Sequence, residues 1–154
     1  MNLGDKIKPI EFTATNGLQT NFNHYQGKWL VLYFYPKDST PGCTTEGQDF
    51  RDAYPQLQAL NVDVFGISRD SLKSHENFKC KQQFPFELIT DKEGVLCQLF
   101  DVIKMKSMYG KQVRGIERSS FIIDPQGILK QEWRKVSVKG HVAEVIEALK
   151  ALQA

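Results

Sequence analysis

Residues 31–43 read Val-Leu-Tyr-Phe-Tyr-Pro-Lys-Asp-Ser-Thr-Pro-Gly-Cys, and this run constrains the fold more than any other part of the chain. The stretch Val31–Tyr35 is wholly apolar and rich in aromatic and β-branched side chains, which predicts a fully buried strand. Pro36, Pro41 and Gly42 then force a turn. Beyond Cys43, the apolar residues Phe50, Ala53, Tyr54, Leu57 and Leu60 fall on one face of a helix over 43–60. Cys43 is thereby placed at a helix N-terminus that faces out of the end of a core strand.

The same alternation continues along the chain. Strands are predicted over 29–35, 62–68 and 86–90, with helices over 71–83, where Ser71 is a suitable N-cap, and over 94–103. Residues 119–124 and 128–136 read as a hairpin around Pro125-Gln126-Gly127, and 141–152 as a closing helix with apolar residues at 142, 145, 146, 149 and 152. This order predicts a three-layer α/β or α+β architecture in a single domain, 1–154.

A helix N-terminus offers free N–H groups and the positive end of the helix dipole, both of which favour an anion. A cysteine there is disposed toward the thiolate, the reactive form. The competing reading of Cys43 is a small buried thiol that only packs.

Composition removes other function classes. With 20 basic and 18 acidic residues the net charge is +2, and the short basic stretch at Lys104, Lys106, Lys111 and Arg114 lacks interleaved aromatics, so it reads as a solvated loop, not a nucleic-acid surface. No apolar run approaches the ~18–20 residues that cross a bilayer. The N-terminus lacks the apolar core of a secretion signal, and three cysteines, an odd number, make no disulfide framework. A cytoplasmic chain with thiols kept for chemistry is expected. No C-x-x-C or H-x₃-H pair supports zinc, and His24, His75 and His141 form no Cys–His pattern of a hydrolase.

The string Tyr-Pro-Lys-Asp-Ser-Thr-Pro-Gly-Cys-Thr-Thr-Glu, residues 35–46, resembles the active-site motif of the peroxiredoxins, and specifically the peroxiredoxin Q or bacterioferritin comigratory branch. The likeness continues at Arg118-Ser-Ser-Phe-Ile-Ile-Asp124 and spans nearly the whole chain. It implies a thioredoxin-like α/β/α fold with the peroxiredoxin insertions, and a thiol peroxidase without cofactor or metal. Cys43 is then the nucleophile that attacks the hydroperoxide and becomes a sulfenic acid. Arg118 is the cation that favours thiolate and binds peroxide oxygens, Thr40 a hydroxyl partner, and Pro36 a shield against water. Gly42 and Glu46 join them in the expected substrate-binding group. Glu46 has a second reading, as a first-turn acid complementing the helix dipole.

Many relatives of this branch carry a resolving cysteine five residues after the nucleophile, where this chain has Gln48. Cys80, 37 residues downstream, is the alternative, and the string Ser-His-Glu-Asn-Phe before it resembles a subset of the branch. Lys79 and Lys81 flank Cys80 and would favour its thiolate; its other reading is an idle surface thiol. Cys97 lies in an apolar helix and reads as packing. The resemblance implies an intramolecular Cys43–Cys80 bridge, reduction by thioredoxin or a similar dithiol, and a monomer. The competing readings are a one-cysteine peroxidase and a redox-sensing or chaperone-like protein.

Overall fold

The computed structural model describes residues 1–154, the side chain of Met108 excepted. Strands β1 (Glu11–Ala14) and β2 (Gln19–Asn21) come first, followed by a 3-10 turn over Phe22–Tyr25. Then come β3 (Trp29–Phe34), α1 (Pro41–Ala59), β4 (Val62–Ser68), α2 (Leu72–Gln82), β5 (Glu87–Thr90) and α3 (Val95–Leu99). The hairpin β6 (Ile103–Met108) and β7 (Lys111–Ile116) precedes β8 (Ser119–Ile123), β9 (Leu129–Trp133) and α4 (His141–Gln153).

Seven strands form one sheet in the order β2-β1-β5-β4-β3-β8-β9. The central strands β3, β4 and β5 are parallel, and β8 runs antiparallel beside β3. Side-chain alternation along β3 separates two cores. Leu30, Leu32 and Phe34 face one side, where Phe34, Phe100 and Phe121 lie with ring centroids 4.6–5.7 Å apart. Val31, Tyr33 and Tyr35 face the other, against Phe50 and Leu57 of α1, Phe78 of α2, and Val145 and Leu149 of α4. The sheet is thus sandwiched between helical layers, as the alternation of elements predicts. Among the described residues, no helix is long and apolar enough to cross a membrane.

Four features depart from the sequence reading. β1 and β2 occupy a segment that carries no clear strand signal. The basic stretch expected to be a solvated loop is the β6–β7 hairpin, which pairs only with itself, Met105 opposite Arg114 and Lys106 opposite Val113. The helix expected over 94–103 stops at Leu99, because Ile103 already belongs to β6. α1 also begins earlier than expected, with Pro41 in its first turn, where a missing N–H costs nothing.

The β3–β8 register sets where Arg118 lies. It pairs Phe34 with Ser119, so Arg118 emerges at the end of the sheet from which residues 36–40 lead into α1. The end of α2 is held to α1 by a close approach at Gly47. Gln83 takes a left-handed conformation there (φ 57°), and the Phe84 N–H donates to the Lys79 carbonyl at 3.1 Å. This turns the Phe84 ring onto Gly47, while Phe78 and Phe86 pack around the ring. A Cβ at position 47 would lie 2.3 Å from Phe84 Cζ.

Gly47→Ala sets two effects against each other. Helix propensity gains about 1 kcal/mol, while overpacking a ring without room to move costs about 1–3 kcal/mol. We expect net destabilisation by urea denaturation; stability equal to or above wild type would mean that Phe84 yields.

Candidate active site

Cys43 lies in the first turn of α1 and is 2% exposed, so its thiol faces the protein interior. Thr40 is the residue before the helix. Its side chain does not cap the helix but donates to the Lys37 carbonyl at 2.8 Å, while its own carbonyl accepts from the Thr44 N–H at 2.9 Å. Pro41 has no N–H, and helix geometry leaves those of Gly42 and Cys43 without intrahelical acceptors beside the sulfur.

Arg118 reaches this turn from the start of β8. Its Nη2 donates to Cys43 Sγ at 3.5 Å and its Nη1 to Glu46 Oε1 at 2.7 Å. The approach is close enough that a Cβ on Gly42 would lie 3.1 Å from Nη2, so a larger residue there would press on the guanidinium. Burial works against the Arg118 cation, but Glu46 and Cys43 more than offset it and raise its pKa.

Glu46 is fully buried, and its Oε2 has no hydrogen-bond partner among the described residues. Burial pushes its pKa from 4.5 up to about 7, against the opposing pull of Arg118. Of its two readings, the structure brings Glu46 to Arg118 in the interior, away from the solvent where a dipole-complementing acid would sit. The sequence reading did not single out Tyr33. Its buried hydroxyl also lacks a partner, and burial, then the charges of Glu46 and Cys43, push its pKa well up. Strand alternation is the signal that puts Tyr33 on the α1 side. His141 Nε2 lies 2.8 Å from the Ser120 hydroxyl; burial and then Arg118 lower its pKa to about 4, so it stays neutral.

The remaining expected residues lie further out. Pro36 is exposed just beyond β3. Cys80 is exposed in the last turn of α2, and it, Cys43 and Cys97 are all free thiols. Lys79 beside it is engaged by Glu87 of β5 at 3.1 Å. Cys97 is fully buried, and burial followed by Asp91 raises its pKa, as a packing thiol requires.

The arrangement is a buried thiol and a paired arginine at a helix N-terminus on a mixed sheet, which is the equipment of a cysteine-based peroxidase. A sequence profile described as the AhpC/TSA family matches residues 3–132. Peroxiredoxin Bcp of Xanthomonas campestris is 54% identical over 142 residues, 92% of this chain and 89% of that protein. Peroxiredoxin Bcp of Bacillus subtilis is 47% identical over 150 residues, 97% of this chain and 96% of that protein. A solved cysteine-to-serine variant of Xylella fastidiosa PrxQ superposes with a TM-score of 0.95 at 45% identity, covering 100% of this chain and 98% of that one. The Xanthomonas campestris bacterioferritin comigratory protein, solved as a trapped intermediate/ligand complex in work on its alkyl peroxide reduction, gives a TM-score of 0.90 at 52% identity, covering 94% of this chain and 92% of that one. The chain belongs to the AhpC/TSA family, in its Bcp or peroxiredoxin Q branch. It has the thioredoxin-like peroxiredoxin fold and is a thiol peroxidase that uses cysteine chemistry.

The buried carboxyl leaves a signature in stability. Glu46 holds its proton more tightly folded (about 7) than unfolded (4.5), so its contribution is full below pH 4.5 and lost as pH rises through 7. His141 runs the other way: with a folded value of about 4 against 6.5, its contribution is full above pH 6.5 and lost as pH falls toward 4. Comparing wild type with Glu46→Gln cancels the shared His141 contribution. The variant should gain about 2 kcal/mol relative to wild type between pH 5 and pH 8, measured by urea denaturation. Parallel pH profiles would contradict a buried titrating carboxyl at this position.

Proposed function

We propose that Cys43 is the peroxide-attacking cysteine of an atypical two-cysteine peroxidase, 1–154 acting as one domain, with Cys80 as its resolving partner. The observation that carries this reading is the contact of Cys43 Sγ with Arg118 Nη2 at 3.5 Å, the guanidinium being fixed by Glu46 on its other nitrogen. A cation at that distance favours thiolate over thiol. The Cys43 thiolate attacks one peroxide oxygen, the O–O bond breaks, and the other oxygen leaves as alkoxide or hydroxide and takes up a proton. Negative charge spreads over sulfur and both oxygens, where the fork of Arg118 and the N–H groups of Gly42 and Cys43 stabilise it. Thr40 donates its hydroxyl hydrogen bond to the Lys37 carbonyl, so its oxygen is left to accept a hydrogen bond from the incoming hydroperoxide. Pro36, exposed at the end of β3, limits access of water.

The sulfenic acid on Cys43 is then attacked by the Cys80 thiolate, which forms the disulfide and releases the sulfenic oxygen as water. Cys43 is buried and Cys80 exposed, so their joining, which needs Cα atoms within ~7 Å, calls for the helices to move. The first turn of α1 and the end of α2, held together by Phe84 against Gly47, are the segments that must open. Thioredoxin or a similar dithiol restores both thiols by exchange, and the exposed position of Cys80 suits such a partner. The substrates are hydrogen peroxide and organic hydroperoxides; alkyl peroxide reduction is the activity studied in the Xanthomonas relative. We also take the protein to be a cytoplasmic monomer, on its odd cysteine count and its branch.

Single cysteine variants test these roles. Cys43→Ser should abolish turnover with every peroxide. Cys80→Ser should react once at the wild-type rate, fail to recycle with thioredoxin, and accumulate sulfenic and then sulfinic acid on Cys43 by mass spectrometry. Cys97→Ser should cycle normally. Normal cycling in Cys80→Ser would make the protein a one-cysteine peroxidase, and a stall in Cys97→Ser instead would reassign the resolver.

A further inference from the structure

Asp38 is buried, although Pro36, Lys37 and Ser39 around it in the loop before α1 are exposed. Its carboxylate points inward and is fully engaged. Oδ1 accepts from the Tyr35 hydroxyl at 2.7 Å, and Oδ2 accepts from the Ser74 hydroxyl at 2.8 Å and faces His75 Nδ1 at 2.7 Å. The Asp38 N–H donates to Asp70 Oδ2 at 2.9 Å, and Ser68 donates to that same oxygen. His75, fully buried on α2, places Nε2 3.0 Å from the Ile89 carbonyl. A carbonyl only accepts, so Nε2 donates to Ile89, while Nδ1 and Asp38 Oδ2 share a proton at 2.7 Å, with the Tyr35 hydroxyl 3.4 Å from the same nitrogen.

The loop that this pair holds is under strain. Ser39, next to Asp38, sits at φ 63°, a region that non-glycine residues occupy only where the surroundings impose it. Thr40 follows at once, and Cys43 comes one helical turn later. The loop is thus fixed by its backbone to the end of β4 and by its side chain to the first half of α2, the helix whose last turn carries Cys80. The donor atoms of Asp38, Asp70 and His75 lie within 4.8 Å of one another, but a cation there would displace the protons that hold the loop.

We infer that the Asp38–His75 pair is a clamp that positions loop 36–40, and with it Thr40 and the Cys43 turn, for attack on peroxide. His75 is a positioning residue: it acts through Asp38 and contacts neither sulfur nor substrate. The clamp also gives α2 a fixed first half, so that the opening needed for resolution is confined to the half bearing Cys80. The inference rests on the reading of Cys43 as the attacking thiol.

Two variants of His75 separate positioning from packing. Asparagine puts an amide N–H near the place of Nδ1 and keeps a donor to Asp38; glutamine puts it near Nε2 and keeps only the Ile89 contact. Stopped-flow oxidation by one equivalent of peroxide should be slowed at least ~10-fold in His75→Gln and within about threefold in His75→Asn, with thermal stability lowered in both. Equal rate constants in the two variants would overturn the clamp. In the wild-type protein, proton NMR should find an exchange-protected proton bridging His75 Nδ1 and Asp38 Oδ2; its absence would overturn the pair without any variant. Residual turnover in Cys43→Ser would instead sink the reading beneath the clamp, so the two failures are distinguishable.

Discussion

The guanidinium of Arg118 stands between a buried carboxyl and a buried sulfur, and the rest of the structure is arranged to keep it there. A fully buried carboxyl with one unpartnered oxygen is tolerated only beside a fixed cation, and removing one member of such a pair costs about 3–5 kcal/mol. Arg118 owes its place to the pairing of Ser119 with Phe34, and Cys43 owes its place to the short loop that turns β3 into α1. The site therefore depends on strand register together with the loop that leads into α1. A register slip of one residue would turn Arg118 to the opposite face of the sheet.

Much of this was legible in the sequence, for a physical reason. The central strands β3, β4 and β8 are buried on both faces, so their residues are nearly all apolar and announce themselves. Cys43, Thr40, Gly42 and Glu46 sit on one contiguous strand-turn-helix segment, where short-range chemistry fixes the geometry. The parts that escaped are those whose form depends on distant partners. β1 and β2 are short, mixed in polarity and lie at the sheet edge. The β6–β7 hairpin pairs outside the main sheet and carries lysines where a buried strand would carry apolar residues, so its composition is that of a loop. The contacts among Tyr35, Asp38 and His75 form only when the loop, β3 and α2 come together, and no local pattern records that meeting.

Chemistry and motion are coupled at the junction of α1 and α2. Besides Phe84 on Gly47, the Gln48 amide donates to Gln82 Oε1 at 2.9 Å and Arg51 donates to the Gln82 carbonyl at 2.8 Å. Position 48, where many relatives keep a resolving cysteine, here joins the two helices. On the proposed resolution by Cys80, these contacts must break before that thiol can reach Cys43. A junction closed by one aromatic ring and a few polar contacts is suited to opening at modest cost, while the two cores of the sheet stay packed.

Because the guanidinium is the element that organises the site, its replacement tests the mechanism most directly. The measurement is the second-order rate constant for the first oxidation of Cys43 in Arg118→Ala and Arg118→Lys, followed by stopped flow with hydrogen peroxide. Loss of a donor aimed at developing charge costs about 10²–10³-fold, so alanine should slow the reaction by at least that much, and lysine, a point charge without the fork, should recover only part of it. A wild-type rate constant in either variant would contradict the role of Arg118 and, with it, the account of how this site activates its cysteine.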